Sequence, residues 1–139
     1  MVEKKKVVFT NGCFDIVHVG HLQMLAEAKK QGDYLVVGLN SDASVKRLKG
    51  ESRPINNEID RKFFLENIKS VDEVFIFEED TPFELIKKLK PNVLVKGGDW
   101  PIEQIVGGSF VLENGGEVKS LIFKDGYSTT NIIEKVQKD

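Results

Sequence analysis

His18 and His21 are the only histidines in the chain, three positions apart. The segment that holds them reads Thr10-Asn11-Gly12-Cys13-Phe14-Asp15-Ile16-Val17-His18-Val19-Gly20-His21 and follows an apolar run, Val7-Val8-Phe9. With a helix beginning near Ile16, both imidazoles fall in its first turn and on one face, because residues i and i+3 are neighbours there. The first N–H groups of a helix lack partners and the dipole there is positive, so an anion is drawn to the same place. Two imidazoles beside such amides suit a phosphate-bearing ligand. The residues alone leave a rival open: two histidines with Asp15 also make a transition-metal ligand set. Cys13 invites a nucleophile reading, but small apolar cysteines are mostly core, and packing is the expectation.

Other polar clusters also stand just after apolar runs. Asn40-Ser41-Asp42 follows the second run and leads to Lys46, Arg47 and Lys49; Lys96-Gly97-Gly98-Asp99-Trp100 follows the fourth; Gly126-Tyr127-Ser128-Thr129-Thr130 follows the last. The runs predict strands over 7–10, 34–40, 73–77, 92–96 and 119–123, short and nearly continuous as buried parallel strands are. Helical spacing covers 21–31, with Gly32 placed to stop it. Thr81-Pro82-Phe83-Glu84 predicts a helix start with a capping threonine and a first-position proline, running to Leu89. Residues 128–137 read as a closing helix, and 49–57 as the longest irregular piece. Strands alternating with helices imply right-handed βαβ units in a Rossmann-like α/β domain. The expected architecture is one domain over 1–139, a mainly parallel five-stranded sheet with helices on both faces. Parallel sheets bind ligands beyond the carboxyl ends of their strands, where all four clusters fall.

Composition narrows the function class. A chain of 139 residues, 40% apolar and 30% charged, is ordinary for one globular domain. Twenty basic against twenty-two acidic residues leave a formal charge of −2. That balance gives no footprint for nucleic acid and no attraction to a membrane surface. No apolar run is long enough to span a bilayer. Lys4-Lys5-Lys6 precedes a strand, not a signal-peptide apolar region. One cysteine makes no internal disulfide, which fits a cytoplasmic protein.

The segment Thr10–His21, with its HxGH core, resembles the signature of the nucleotidyltransferase superfamily that includes the cytidylyltransferases. Tyr127-Ser128-Thr129-Thr130 resembles the second signature of that superfamily, at the start of its last helix. Together they weigh against the metal reading. Within the superfamily, further segments resemble the adenylyltransferase domain that makes ADP-activated heptose. These are Asn40-Ser41-Asp42, Arg47-Leu48-Lys49-Gly50, Arg53-Pro54, Glu79-Asp80-Thr81-Pro82, Val95-Lys96-Gly97-Gly98-Asp99 and Gly115-Gly116-Glu117-Val118. The likeness runs from about Val7 to Val136. That domain is often fused behind a sugar kinase; with no kinase half here, the expectation is a stand-alone version.

The resemblance implies that a phosphoryl oxygen of a sugar 1-phosphate attacks the α-phosphorus of ATP and expels pyrophosphate. An ionised phosphate needs no general base, so catalysis is positioning plus stabilisation of growing charge. By resemblance, His18 and His21 contact the nucleotide phosphates and the transition state. Ser128 and Thr129, with Tyr127 beside them, bind the β- and γ-phosphates. Thr10 and Lys49, or Lys46, hold the acceptor phosphate, with Asp42 and Arg61 as further acceptor-side candidates. Asn11, Gly12, Phe14, Asp15 and Gly20 belong to the nucleotide signature, and Lys96, Gly97 and Asp99 line the base and ribose pocket. Mg²⁺ is implied with ATP, and no protein metal site. A homodimer or higher homo-oligomer is implied too.

Blander roles stand beside several of these. Asp42 and Ser128 suit helix caps. Lys46, Arg47 and Lys49 suit a solvated helix face, the expectation for Arg47. Arg61 suits an ion pair, and Trp100 either stacks on adenine or covers the sheet end. Related cytidylyltransferases carry an arginine shortly before the second signature where this chain has Lys124, and lysine lacks the bidentate fork. That weighs towards ATP over CTP. Three functions remain: adenylyl transfer to a sugar 1-phosphate, cytidylyl transfer to a polyol phosphate such as glycerol 3-phosphate, and a non-catalytic nucleotide-binding module.

Overall fold

A computed structural model describes residues 5–98 and 100–121. Its strands are β1 (Val7–Gly12), β2 (Tyr34–Asn40), β3 (Glu73–Phe77), β4 (Val93–Gly97) and β5 (Glu117–Leu121). They form one five-stranded sheet in the order β3-β2-β1-β4-β5. Each pairing is parallel, so the expected mainly parallel sheet is wholly parallel among the described residues. The helices are α1 (Val19–Lys29), α2 (Asp42–Lys49), α3 (Glu58–Glu66), α4 (Phe83–Leu89) and α5 (Gly108–Glu113), with a 3₁₀ turn at Ile102–Gln104. The expected closing helix, with Tyr127, Ser128 and Thr129, lies outside the described residues, as does Asp99.

Successive residues of β1 point to opposite faces and so feed two cores. Val8 packs with Met24, Leu25 and Ala28 of α1 and Leu65 of α3. Phe9 packs on the other face with Ile86 of α4 and Val111 of α5. Helices therefore cover both faces. Full burial of each such side chain stabilises the fold by about 1.5–3 kcal/mol.

The order of strands reverses beside β1. Strand β1 pairs with β2 over six positions, Val7 to Gly12, but with β4 only at Val8 and Phe9. Its carboxyl half thus runs free of β4, and a crevice opens there. Sheets of this kind take their ligands at that point.

Local details depart from the sequence reading. Helix α1 starts at Val19, two residues before the spacing read over 21–31 and three after Ile16, because the His18 imidazole caps it. Helix α4 starts at Phe83 with Pro82 in the cap position and no side-chain cap, so the expected Thr81 box is not formed. Gly32 does not stop α1, whose C-cap is Lys30. Instead the chain passes close to β1: a Cβ on Gly32 would sit 2.5 Å from the Lys6 carbonyl oxygen. Strand β5 begins two residues early, where the Glu117 N–H bonds the Asn92 carbonyl. Helix α5 escaped the reading because it is six residues long and opens on Gly107 and Gly108, the former at φ 83°.

Candidate active site

A cleft of about 640 Å³ lies at the carboxyl ends of β1, β2 and β4. Of the expected site residues, Asn11, Gly12, Phe14, Asp15, His18, His21, Lys49 and Lys96 line it. Gly97 lines an adjoining recess with Met24. Asn40, Asp80, Thr81, Gln104 and Arg53 line the cleft without having been singled out for the site. Thr10, Gly20, Asp42, Lys46 and Arg61 are not part of the lining.

The histidines cap one another. The His18 main-chain N–H donates to His21 Nδ1 at 3.2 Å, and the Gly20 N–H donates to His18 Nδ1 at 3.1 Å. Both Nδ1 atoms are acceptors, so in the neutral rings each proton sits on Nε2. The rings lie 4.0 Å apart, and Phe14 packs against His21 at 5.4 Å. Burial lowers the pKa of His18. Burial, and then the neighbouring His18 charge, push His21 down from 6.5 to about 4. At neutral pH the pair is a set of neutral Nε2–H donors. Gly20 is buried behind it, with its N–H committed to the cap.

Asp15 fastens the loop between α2 and α3. Phe14 at φ 47° turns the chain so that the buried Asp15 carboxylate accepts the Ile55 N–H at 2.8 Å and the Asn56 N–H at 2.8 Å. Arg53 Nε donates to the same carboxylate at 2.9 Å. Burial would raise the Asp15 pKa, but the Asn56 and Ile55 amides and Arg53 outweigh it and hold the carboxyl below its ordinary value.

Arg61 is a brace behind the cleft. It is 2% exposed. Its Nε donates to the Asn56 carbonyl, Nη1 to the Cys13 and Asn40 carbonyls, and Nη2 to the Asp42 carboxylate, at 2.8–2.9 Å. Asp42 is thereby held away from the cleft, and the cap of α2 is Ser41. Among the lysines, Lys49 reaches the cleft and Lys46 does not. Arg47 turns outward to Asp80 at 2.8 Å. Lys96 lies over the half-exposed Trp100 ring at 5.3 Å, and burial lowers its pKa. Cys13 also lines the cleft, which the packing expectation did not include; burial raises its pKa while Lys49, Arg61 and Arg53 oppose the rise. Thr10 is wholly buried, and its Oγ1 has no hydrogen-bond partner among the described residues.

A parallel sheet open at its switch point, with imidazole donors at a helix start and lysines on the rim, defines a Rossmann-like α/β domain built to hold anions. The chain belongs to the cytidylyltransferase-like family, whose model matches residues 9–135. It is 63% identical over 131 residues to the bifunctional protein HldE of Marinomonas sp. (strain MWYL1), covering 94% of this chain and 28% of that protein. It is 57% identical to the bifunctional protein HldE of Aliarcobacter butzleri, covering 97% of this chain and 28% of that one. The chain thus spans little more than a quarter of those relatives. A solved structure, the lipopolysaccharide core biosynthesis protein of Thermoplasma volcanium, is similar at TM-score 0.70 and 30% identity, covering 90% of this chain and all of that one. Pantothenate synthetase of Thermus thermophilus shares the fold alone, at TM-score 0.56 and 14% identity over 87% of this chain and 56% of that one. Among the described residues, no helix is long and apolar enough to cross a membrane.

Proposed function

We propose that the chain transfers AMP from ATP to a sugar 1-phosphate, heptose 1-phosphate in the first instance, giving an ADP-sugar and pyrophosphate. The observation that carries the reading is the reciprocal histidine cap on the cleft wall, in which both Nδ1 atoms are already engaged as acceptors and so do not serve as bases. A phosphate oxygen of the acceptor forms the new bond to the α-phosphorus as the bond to the pyrophosphate oxygen breaks. The nucleophile is already ionised, so no side chain has to remove a proton. His18 and His21 donate to oxygens on which charge grows, and Lys49 and Lys96 offset the repulsion between two anions. Ser128 and Thr129, outside the described residues, bind the β- and γ-phosphates in this reading with Tyr127 beside them, and Asp99, also outside, belongs to the base and ribose pocket. The high identity to HldE over nearly the whole chain supports the sugar 1-phosphate acceptor.

Mg²⁺ enters with the nucleotide and shields its phosphates. Among the described residues no three His, Cys, Asp or Glu side chains converge, and Asp15 is engaged by Arg53 and two amides. In this reading the cation is held chiefly by phosphate oxygens. We read residues 1–139 as one domain and place the reaction in the cytoplasm, where ATP is supplied. The protein works as a homodimer or higher homo-oligomer, a reading that light scattering tests. Apolar side chains exposed on α3, Ile59 and Phe63, support it.

A pyrophosphate-release assay across nucleoside triphosphates, with heptose 1-phosphate and glycerol 3-phosphate, tests the reaction. Activity with ATP and the sugar 1-phosphate is expected. Activity with CTP alone would overturn it, and ATP binding without turnover on any acceptor would make the chain a binding module.

A further inference from the structure

We propose that Arg53 is the fork that grips the phosphomonoester dianion of the acceptor, and that Asp15 positions it; this rests on the adenylyl-transfer reading above. Arg53 lies in the loop between α2 and α3, and its side chain is 11% exposed. One edge of the guanidinium is fixed, since Nε donates to Oδ2 of the wholly buried Asp15 side chain at 2.9 Å. Asp15 is in turn fixed by the Ile55 and Asn56 amides, while Asn56 Nδ2 donates back to the Asp15 carbonyl at 2.7 Å. Nη1 and Nη2 have no partner among the described residues, and neither is sealed from the cleft that Arg53 lines. An arginine so placed has lost most of its side-chain freedom yet keeps its end-on pair of nitrogens open. That pair matches two oxygens of one phosphate.

The charge around it selects the ligand. Lys49 also lines the cleft and forms no ion pair among the described residues. The two carboxylates on the wall are already engaged, Asp15 by Arg53 and Asp80 by Arg47. Lys49 and Arg53 lie four residues apart, at the end of α2 and in the loop after it. Both cations therefore come from one segment, while the histidines come from the start of α1 and Lys96 from β4. Two cations on a segment separate from the histidine wall suit a second anion, distinct from the nucleotide polyphosphate. A terminal phosphomonoester carries nearly two charges and three free oxygens, which lets a fork and an ammonium bind it together.

Arg53→Gln and Arg53→Lys test the proposal by steady-state kinetics with both substrates varied. The expected result for Arg53→Gln is a KM for the sugar 1-phosphate raised roughly ten- to a hundredfold, with the KM for ATP little changed and the melting temperature lowered, because the buried Asp15 carboxylate keeps its two amides but loses its cation. Arg53→Lys keeps the charge but loses both the Asp15 anchor and the fork, so it recovers only a minor part. Asp15→Asn raises the acceptor KM in the parent protein and adds nothing in the Arg53→Gln background. An unchanged acceptor KM, or an equal rise in the ATP KM, overturns the proposal. Calorimetric binding of glucose 1-phosphate needs no turnover and separates this proposal from the reaction itself. If the parent is inactive but Arg53→Gln weakens that binding tenfold, the fork stands and the transferase reading falls. If neither protein binds the ester, the fork falls. Should the variants fold poorly, phenylglyoxal labelling of Arg53 in the unaltered protein decides: slowing by the sugar 1-phosphate but not by ATP supports the fork, and the reverse overturns it.

Discussion

The main-chain N–H of His18 is bonded to the ring of His21, 3.2 Å away, while the His18 ring accepts the Gly20 N–H. One pair of imidazoles thus closes the helix start and fixes its own tautomers. Structure and chemistry are coupled at these two side chains.

His21 should titrate near 4 in the free protein, and His18 below its ordinary 6.5. The chain has two histidines, so two ring signals in an NMR titration assign directly. The unfolded chain takes up protons near 6.5, above the folded value for His21. Stability is therefore full above about pH 6.5 and declines as the pH falls towards about 4. Denaturant unfolding across that window should show the decline, and His21→Asn should flatten it. A His21 midpoint near 6.5 would contradict the buried cap.

His18→Ala and His21→Ala should each lower kcat by orders of magnitude while changing ATP affinity far less. Both also remove a cap, at a cost of about 1 kcal/mol. His18→Asn keeps an oxygen for the Gly20 N–H and separates the effects: stability returns, turnover does not. Equal losses in kcat and ATP binding would argue against a transition-state role.

Arg61→Met should destabilise the domain by about 3–5 kcal/mol, because it strands a carboxylate and leaves three carbonyls without their donor. Arg61→Lys should rescue little, since one ammonium does not reach all four partners. Urea midpoints measure both. A loss of activity with unchanged stability would mean that Arg61 meets substrate directly.

Lys49→Ala should raise the acceptor KM about tenfold or more, and Lys46→Ala should leave both KM values within about twofold. Side-by-side initial rates check the contrast. An equal effect of the two would place the acceptor elsewhere.

The strands were largely legible because buried parallel strands are short apolar runs; β2 and β3 match the expected bounds to the residue. The histidine pair was legible as an anion site through its spacing and its place after β1. Its reciprocal cap was not, since an imidazole is an uncommon N-cap. Asp42 and Arg61 drew attention as acceptor-side candidates, yet the fold joins them to each other at 2.8 Å. Arg61 meets carbonyls 21 and 48 residues away, contacts that leave no periodic trace. Arg53 stood out only as part of the Arg53-Pro54 resemblance and was given no role. The physical signal for one was the Asp15 acid in an otherwise apolar turn, a buried charge that demands a cation.

Every partner of the Arg61 side chain precedes it in the chain: Cys13, Asn40, Asp42 and Asn56. This wall of the cleft is therefore tied together from residues 13–61 alone, and the Arg61 side chain makes none of those four bonds to β4 or β5 across the switch point.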